Sequence, residues 1–501
     1  MMEKQSDVLV IGAGGAGLTA ALHARAKGVK VRVLTKEYAT RSQTCMAQGG
    51  INAALGAGKD SVEAHVQNTL KSAHGMADEK AVRHLCQSAA DAVKWLDSIG
   101  VCFSRTVDSK IAQRSLGGAS SPRACYAQDY TGLKILHTLY DKCLAEDIEI
   151  LNEKYLLDII QNKDGVCGVS VLDIRSGEEE VYESKSVIIA TGGYSRIYDT
   201  HSTNSTATTG DGIACAMRAG AKLRDMAFVQ FHPTALKNSS ILISESARGA
   251  GGYLLNSKGE RFVDELLPRD EVARAINKER KSGEDVFLDI RHLGVEFIDE
   301  ELPQERKLAK LYENIDPVSD LIPVKPAAHY TMGGIEVDDT SSTLVRGLYA
   351  AGECANHRVH GANRLGGNSL LELIVFGKQA GESAAEYSLD KGEVIAEVKV
   401  SDTITEGTNE IDFYEQKELL GLLFYKNVGI VRCEKDLYEA QKQIEFMKEN
   451  LPKMGVSDNS KIYNTNKIEF LEFVNMLSVC EEVVREALAI KESCGAHYRV
   501  D

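Results

Sequence analysis

One arginine, Arg364, is better suited than any other side chain of this protein to bind a small anion, and it lies in the segment HGANRLGGNSLLELIVFG, residues 360–377. Arg364 lies just before Gly366 and Gly367, and an apolar run typical of a helix follows. A guanidinium is a planar, permanently charged fork that matches a carboxylate, and glycine lets the backbone approach closely. The segment therefore predicts a binding site for a small dianion.

A glycine-rich turn near the amino terminus predicts a dinucleotide-binding site. An apolar run over residues 7–11 is followed by the spacing GxGxxG at Gly12, Gly14 and Gly17, and then by an alanine-rich helical pattern over residues 18–26. Such a turn lets backbone N–H groups at the start of the helix bind a pyrophosphate. A purely structural turn is the alternative, and the complete order of strand, turn, helix and second strand disfavours it.

The end of the second predicted strand leaves the ribose contact open. That strand covers residues 31–34 and is followed by Thr35, Lys36 and Glu37. Dinucleotide-binding folds place an acidic side chain near this point to hold a ribose hydroxyl. In this chain either Glu37 is that acid, displaced by one position, or Lys36 replaces it.

Composition limits the classes of protein to which the chain can belong. Its 501 residues predict about three domains at ~150 residues each, and its net charge of −15 disfavours nucleic acid as a partner. No apolar stretch reaches the ~18 residues of a membrane-spanning helix. Residues 1–5 run directly into the first strand, so we expect no signal peptide or twin-arginine leader. The 11 cysteines include no CxxC pair, which disfavours a metal site and favours reduced thiols in a cytoplasmic protein.

The order of the predicted elements indicates an interrupted nucleotide-binding domain. The apolar strand in SVIIATGG runs into Gly192, and a second strand, LYAAGE, comes only after a long charged insertion. Beyond a polar linker, apolar residues from Ile468 to Leu488 recur every three or four positions, as in an amphipathic helix. We predict a nucleotide-binding domain in two segments, residues 1–228 and 329–390, with a capping domain inserted at residues 229–328. A linker over residues 391–412 and a helical domain over residues 413–501 follow.

Strings spread over most of the chain carry a family resemblance. In order, they are SQTCMAQGGINAALG, QRSLGG, ATGGYSRIY, TGDGIACAMRAGA, FVQFHPT, SESARGAGGYLLNSKGERF, PRDEVARAI, AHYTMGGI, LYAAGECA and HGANRLGGNSLLELIVFG. The chain resembles the flavoprotein subunit of succinate dehydrogenase and fumarate reductase, and the related L-aspartate oxidases share most of these strings. The resemblance runs from residue 7 to residue 390 and continues more weakly into ESCGAHYRVD. It implies an α/β fold with a Rossmann-like FAD-binding domain, an inserted α+β capping domain and a carboxy-terminal helical domain.

The resemblance also implies which residues bind the cofactor and the substrate. Reduction of a C=C bond between two carboxylates requires cations and hydrogen-bond donors at both ends of the substrate. Besides Arg364, the implied substrate ligands are His232 in FHPT, His329 in AHYTMGG, and Ser244, where threonine is usual. A histidine considered alone more often has a structural role, but the position of these two histidines within the family strings favours substrate binding. The implied FAD-binding residues are Gly12, Gly14, Gly15, Gly17, Lys36, Ser42, Gln43, Thr44, Gln48, Gly49, Gly50, Ala190, Thr191, Gly192, Asp211, Glu353, Ser369 and Leu370.

The proton donor implied by the resemblance is Arg269 of PRDEV, in a relay with Glu245 and Arg248 of SESARG. An arginine is a weak acid, because the guanidinium keeps its proton well above neutral pH. It can serve only when a neighbouring carboxylate returns the proton and a closed lid excludes water. An ordinary ion pair at the start of a surface helix is the alternative for Arg269. Arg123, Asp129 and Arg248 are equally compatible with structural ion pairs, and of these we retain Arg248.

Three departures from the family pattern refine the prediction. Members with covalent flavin have a histidine in an RSHT string, whereas this chain reads RSQT with Gln43, so we expect non-covalent FAD and a bias toward fumarate reduction. Aspartate oxidases resemble one another in having a glutamate where this chain has Leu116, which favours a plain dicarboxylate over aspartate. Near the carboxy terminus, Cys494 replaces the usual arginine before a glycine, and the chain ends at Asp501 where relatives continue.

These inferences predict a fumarate reductase or succinate dehydrogenase flavoprotein that interconverts fumarate and succinate by hydride transfer from N5 of FAD. The resemblance implies an iron–sulfur electron-transfer subunit and a quinone-linked or thiol-linked module as partners. We expect a cytoplasmic protein, or one held at the inner face of the membrane by its partners, with no transmembrane segment of its own. The alternatives are a soluble L-aspartate oxidase and, in another class, a non-catalytic flavin-binding scaffold subunit.

Overall fold

A computed structural model describes residues 4–56, 60–392 and 407–501. The helices are α1 (Gly15–Ala26), α2 (Val62–Ser72), α3 (Glu79–Ser98), α4 (Thr131–Ala145), α5 (Asp211–Arg218), α6 (Glu245–Gly249), α7 (Arg269–Lys281), α8 (Val295–Glu301), α9 (Pro303–Glu313), α10 (Asn368–Asp390), α11 (Phe413–Asn427), α12 (Glu434–Glu449) and α13 (Thr465–Ala489). The strands are β1 (Gln5–Ile11), β2 (Val31–Leu34), β3 (Ile51–Asn52), β4 (Gln113–Arg114), β5 (Ala124–Cys125), β6 (Glu149–Leu151), β7 (Lys154–Asn162), β8 (Gly165–Asp173), β9 (Glu179–Ile189), β10 (Leu223–Arg224), β11 (Val229–Leu236), β12 (Tyr253–Asn256), β13 (Val286–Asp289), β14 (Ile322–Thr331), β15 (Gly334–Glu336), β16 (Leu348–Ala350) and β17 (Ala355–Asn356).

The largest sheet in the described part of the chain has seven strands, ordered β6-β2-β1-β9-β8-β7 with β16 also beside β9. β1 pairs in parallel with β2 and β9, and β9 pairs in parallel with β16. Parallel strands bring their carboxyl ends to one edge, where dinucleotides bind in this class of fold. The predicted strands at residues 7–11 and 31–34 are confirmed by β1 and β2.

The turn between β1 and α1 depends on glycine. Gly12 has φ +106°, and a Cβ atom there would lie 2.2 Å from the carbonyl oxygen of Ala190. A Cβ atom on Gly17 would lie 1.9 Å from the carbonyl oxygen of Gly12. Only glycine allows β1, β9 and α1 to approach this closely, so the start of α1 is held at the carboxyl edge of the sheet.

A second sheet forms the core of the capping domain. Its strands are antiparallel in the order β11-β14-β13-β12, and α6 to α9 belong to the same part of the chain. The strand β14 crosses from the predicted capping segment into the second FAD-binding segment, and it therefore carries His329 to the junction of the two domains.

The carboxy-terminal helices α11 and α13 pack on the FAD-binding domain, and α12 packs on these two helices. The amphipathic helix predicted around residues 468–488 is confirmed by α13, whose buried face includes Phe470, Phe473 and Leu477. The predicted α/β class, with its capping and helical domains, is confirmed. The exact domain limits stay a prediction, and residues 393–406 of the predicted linker lie outside the described residues.

Candidate active site

One continuous cleft joins most of the predicted cofactor residues to the predicted substrate residues. It runs from the β1–α1 turn to the face of the capping domain that carries Ser244 and Glu245. Gly17 and Arg248 do not line it, because Gly17 packs inside the turn and Arg248 lies behind Glu245. The predicted residues that line the cleft are Gly12, Gly14, Gly15, Lys36, Ser42, Gln43, Thr44, Gln48, Gly49, Gly50, Ala190, Thr191, Gly192, Asp211, His232, Ser244, Glu245, Arg269, His329, Glu353, Arg364, Ser369 and Leu370.

The long arm of this cleft fits FAD. Two helices, α1 and α10, begin at it, and their first turns offer backbone N–H groups and a positive dipole end to a pyrophosphate. Buried side-chain atoms of Ser42, Gln48 and Thr191 that have no hydrogen-bond partner also belong to residues lining the cleft. Buried polar atoms are normally paired, so these atoms indicate a polar ligand.

Lys36 is held by an ion cluster beside the cleft. Its Nζ lies 2.7 Å from Asp211 Oδ2 and 2.5 Å from Glu472 Oε1, the latter on α13. Burial opposes the charged form of Lys36, but the two carboxylates outweigh it and raise its pKa. Glu37 also lines the cleft, next to Lys36, so both candidate ribose ligands lie at the cofactor site.

Gln43 occupies the position at which family members with covalent flavin have the linking histidine. Its side-chain Oε1 accepts a hydrogen bond from the backbone N–H of Ser205 at 2.7 Å, and its Nε2 donates to Asn204 Oδ1 at 3.3 Å. The amide thus ties the loop at Asn204 and Ser205 to the wall of the cleft.

Arg364 lies at the inner end of the cleft with only 2% of its surface exposed. Its Nη2 donates to Gln230 Oε1 at 3.1 Å, and its guanidinium carbon lies 4.3 Å from the centre of the Tyr330 ring. Its Nε is buried without a partner. Burial, with Arg269 nearby, lowers the pKa of Arg364 to about 10, so the cation is held without a full counter-charge. A carboxylate would supply that charge.

His232 and His329 face each other, with their ring centres 4.9 Å apart. Thr203 Oγ1 lies 2.8 Å from His329 Nδ1, and the backbone N–H of Thr234 donates to His232 Nδ1 at 3.3 Å. Burial first, and then the positive charge of Arg269, lower the pKa of both histidines well below the usual range. Both rings are therefore neutral, suited to hydrogen bonding rather than to carrying charge.

The predicted relay residues are in contact. Arg269 Nη2 lies 2.6 Å from Glu245 Oε2, and Arg248 Nη2 lies 3.4 Å from Glu245 Oε1. Burial opposes ionisation of Glu245, but the two arginines outweigh it and lower the pKa of the carboxyl. A Cβ atom on Gly117 or on Gly366 would lie 2.4 Å from one of the Glu245 carboxylate oxygens. These two glycines of QRSLGG and NRLGG therefore make room for the carboxylate.

Sequence reasoning missed Gln230, Tyr330 and Thr203. Gln230 Oε1 accepts hydrogen bonds from both Arg269 Nη1 and Arg364 Nη2, each at 3.1 Å. Its signal was available, since Gln230 precedes His232 by two positions on β11 and so shares its strand face. Thr203 lies outside the motifs described above, and no sequence pattern predicted its contact with His329.

Leu116 is 3% exposed and lines the cleft, and a Cβ atom on Gly49 would lie 3.7 Å from its Cδ1. This position presents hydrocarbon to the cleft. Asp129 and Arg123, by contrast, have structural partners: Arg123 Nη2 pairs with Asp60 Oδ1 at 2.7 Å, and Asp129 accepts hydrogen bonds from the start of α9.

Comparison with known proteins agrees with this geometry. Residues 7–370 match the FAD binding domain family, and residues 417–501 match the family described as fumarate reductase flavoprotein C-term. The chain is 38% identical to the 8-methylmenaquinol:fumarate reductase flavoprotein subunit of Wolinella succinogenes, over 99% of this chain and 86% of that protein. It is 37% identical to the succinate dehydrogenase flavoprotein subunit of Rickettsia conorii, over 99% of this chain and 90% of that protein.

Solved structures agree with these relatives. The quinol fumarate reductase of Escherichia coli matches with a TM-score of 0.94 and 34% identity, over 99% of this chain and 91% of that chain. Sdh1 of Mycobacterium smegmatis matches with a TM-score of 0.87 and 37% identity, over 99% and 88%. Within the described residues, no helix is long and apolar enough to cross a membrane. The chain belongs to the family of fumarate reductase and succinate dehydrogenase flavoprotein subunits, which are FAD-dependent oxidoreductases acting on CH–CH bonds.

Proposed function

We propose that this flavoprotein works mainly as a fumarate reductase. The observation that carries the proposal is the pair of buried guanidinium groups, on Arg269 and Arg364, that converge on Gln230 beside two neutral histidines. Two cations and several neutral donors in one buried pocket match a small dianion with a carboxylate at each end.

The residues divide into a binding set and a proton-transfer set. Arg364, His232, His329 and Ser244 would bind the two carboxylates and fix the C=C bond in the cleft. FAD bound in the cleft would supply the hydride to one carbon of the substrate. Arg269 would protonate the other carbon, and Glu245, 2.6 Å from Arg269 and 3.4 Å from Arg248, would pass a proton from Arg248 back to the Arg269 guanidinium. Arg248 stabilises Glu245 from behind and does not line the cleft.

The direction of the reaction is proposed from Gln43. An amide cannot form the covalent bond to flavin that a histidine forms, and in this family covalent attachment goes with the higher flavin potential needed to oxidise succinate. Non-covalent FAD therefore favours reduction of fumarate.

Release of the flavin tests this step. After precipitation with acid or denaturant, we expect yellow FAD in the supernatant, measured by absorbance, because Gln43 can only hydrogen-bond. Flavin that remained with the precipitated chain would contradict non-covalent binding.

Leu116 argues against the L-aspartate oxidase alternative. A hydrocarbon side chain offers the substrate ammonium no partner, and burying an unpaired ammonium there is unfavourable. The scaffold alternative is disfavoured because the predicted acid contacts its carboxylate and shares the side-chain oxygen of Gln230 with the binding cation.

The proposal also concerns partners and place in the cell. Electrons must reach the FAD from outside, and the family suggests an iron–sulfur subunit with a quinone-linked or thiol-linked module. The names of relatives mention menaquinol and quinol, which makes a quinone-linked module the first one to test. The protein would then lie in the cytoplasm or at the inner face of the membrane through these partners.

Turnover with an artificial electron donor tests the function. We expect rapid reduction of fumarate, slower oxidation of succinate with an artificial acceptor, and no iminoaspartate from L-aspartate. The variant Leu116→Glu provides the matched comparison, since it restores a carboxylate for an ammonium. Hydrogen peroxide formation from L-aspartate by the unaltered protein, at a rate comparable to fumarate turnover, would overturn the assignment in favour of the oxidase.

A further inference from the structure

Two carboxyl groups are buried where the capping domain meets the FAD-binding domain. Asp129 lies just before α4, Glu305 lies in the first turn of α9, and both are fully buried. Asp129 Oδ2 accepts hydrogen bonds from the backbone N–H groups of Gln304 at 2.7 Å and Glu305 at 3.1 Å. The N-cap residue of α9, Leu302, makes no side-chain cap, so Asp129 caps this helix from the other domain.

Glu305 links this junction to the substrate site. Its Oε1 accepts a hydrogen bond from the backbone N–H of Ser244 at 3.0 Å. Ser244 lines the cleft, and its side chain caps α6, the helix that carries Glu245 and Arg248. Glu305 therefore fixes the backbone at the point where the Ser244 hydroxyl, a predicted substrate ligand, and the Glu245 carboxylate enter the cleft.

The two carboxyl groups have too few partners to be charged together. Oδ1 of Asp129 and Oε2 of Glu305 are both buried without a hydrogen-bond partner. The charged and titratable groups that act on them are Arg114, Tyr130 and, around Arg114, Tyr126 and Glu301. Arg114 donates instead to the backbone carbonyl oxygens of Gln48, Gly49 and Gln128.

Burial raises the pKa of Asp129 to about 6. Burial, and next the charge of Asp129, raise the pKa of Glu305 well above its usual range. Asp129 accepts two backbone N–H hydrogen bonds and Glu305 accepts one, so Glu305 is the partner that keeps a proton.

We propose that Glu305 is a positioning residue that acts in its neutral form, and that a proton held by the Asp129–Glu305 pair keeps the capping domain docked and Ser244 in place for dicarboxylate binding. The proposal rests on the function proposed above. A neutral carboxyl accepts from Ser244 N–H and offers a hydrogen atom toward Asp129, directly or through a water. Loss of that proton leaves two buried negative charges together, which would loosen α9 and Ser244 without altering Arg269 or Glu245.

The pH profile of dicarboxylate binding tests the proposal. In the full protein with FAD, the KM for fumarate and the dissociation constant of malonate should rise about tenfold between about pH 6 and about pH 9, whereas kcat changes far less. Glu305→Gln copies the neutral carboxyl, so its KM should stay within about twofold of the acid-side value across this range. Glu305→Ala leaves Ser244 N–H without an acceptor, and its KM should be about tenfold higher at every pH.

Two further variants complete the design. Asp129→Asn removes the second charge from the other side and should flatten the profile in the same way, which keeps the test open when Glu305→Gln folds poorly. Glu296→Gln, at an exposed glutamate of α8, is the matched control and should keep the rising profile. A rise in KM with pH that is as steep in Glu305→Gln and Asp129→Asn as in the unaltered protein would overturn the proposal.

Thermal unfolding without substrate separates this proposal from the proposed function. A carboxyl whose pKa is raised in the folded state stabilises the fold at low pH, and for Glu305 that stability is lost as pH rises from the unfolded value, 4.5, toward a folded pKa well above it. The difference in Tm between Glu305→Gln and the unaltered protein should therefore grow as pH rises. A constant difference would count against the pair, whereas a growing difference in a protein that does not reduce fumarate would contradict only the proposed function.

Discussion

Arg269 and Arg364 bring two like charges to one neutral atom, Gln230 Oε1, at 3.1 Å each. A carbonyl oxygen can hydrogen-bond both guanidinium groups without neutralising either of them. The two groups nevertheless differ in their other partners, because Arg269 has the carboxylate of Glu245 and Arg364 has the face of Tyr330. A partner that can accept and return a proton suits Arg269 to chemistry, and an aromatic face suits Arg364 to binding.

The variant Arg269→Lys tests this division. Lysine keeps the positive charge but moves the donor away from the substrate carbon and from Glu245. We expect kcat for fumarate to fall by about 10²-fold to 10⁴-fold, with a much smaller change in the dissociation constant of malonate. Arg364→Ala should raise that dissociation constant as well, because it removes a contact made in both the ground state and the transition state. Steady-state kinetics and malonate titration of the bound flavin measure both quantities.

Arg274→Lys is the control for Arg269→Lys. Arg274 lies one turn further along α7, pairs with Asp270 at 2.9 Å and does not line the cleft, so its kcat should change little. The assignment is wrong when Arg269→Lys turns over nearly normally and His232→Ala or His329→Ala abolishes turnover without weakening binding. In that case a histidine is the acid.

Sequence reasoning reached the residues of the site unevenly. The cations and histidines lie within strings whose residue types suggest anion binding, so Arg364, His232 and Arg269 could be proposed before any geometry. Gln230 could be placed on the strand face of His232, but its contact with two arginines from distant segments exists only in the fold. The interaction of Glu305 with Ser244 is of the same kind, since its partner lies 61 positions away in another loop.

At the scale of elements, the site depends on how closely α1 and α10 pack. Both helices begin at the cleft, so their relative position determines the shape of the pyrophosphate site. Gly377 and Gly381 of α10 face α1, and Cβ atoms there would lie 2.8 Å from the Ala16 carbonyl oxygen and 2.2 Å from the Ala20 carbonyl oxygen. Small residues on both helices allow backbone contact.

Gly381→Ala tests this contact. Alanine gains about 1 kcal/mol over glycine in a helix interior, but its methyl group would lie 2.2 Å from a backbone oxygen that cannot move alone. We expect a net loss of about 1 to 3 kcal/mol in the free energy of unfolding, from overpacking, together with weaker retention of FAD. Denaturant unfolding and the flavin-to-protein absorbance ratio measure these effects. Lys378→Ala, on the exposed side of α10, should show neither, and an equal or greater stability of Gly381→Ala would contradict the tight contact.

The elements themselves were more predictable than their contacts. Apolar runs and the glycine turn predict β1, β2 and the helix that follows, because each is encoded within a short window. That helix begins at Gly15 rather than near residue 18, since its first turn is formed by the glycines themselves. The packing of Gly381 against Ala20 joins segments far apart in the chain, so the local periodicity of the sequence does not predict it.

At the scale of the whole molecule, the carboxy-terminal helices are tied to the cofactor cleft through one buried cluster. Lys36 follows β2, Asp211 begins α5 and Glu472 lies on α13, and Nζ of Lys36 contacts both carboxylates. Asn475 of α13 also donates to Asp211 Oδ1 at 3.0 Å. A lysine from the cleft is thus the cation that neutralises carboxylates from two parts of the fold.

Lys36→Met tests whether this cluster couples the carboxy-terminal domain to the cleft. Methionine fills similar space but leaves Asp211 and Glu472 as buried like charges, a change that typically costs about 3 to 5 kcal/mol. Without the cation the fold raises the pKa of both carboxyls, so the protonated forms are favoured. The stability deficit should accordingly be small near the unfolded pKa values, 3.8 and 4.5, and should grow as pH rises toward neutrality.

Thermal unfolding of Lys36→Met across this pH range, with flavin content measured at each pH, provides the comparison. Lys448→Met is the control, since Lys448 pairs with Glu481 of the same α13 across a more exposed contact. A surface pair contributes about 0 to 1 kcal/mol, so the control should show a small deficit that hardly varies with pH. A Lys36→Met deficit as small as that of the control, or one that shrinks as pH rises, would mean that α13 is attached to the cleft by apolar packing alone. A growing deficit accompanied by loss of flavin would mean that the carboxy-terminal domain helps to hold the cofactor.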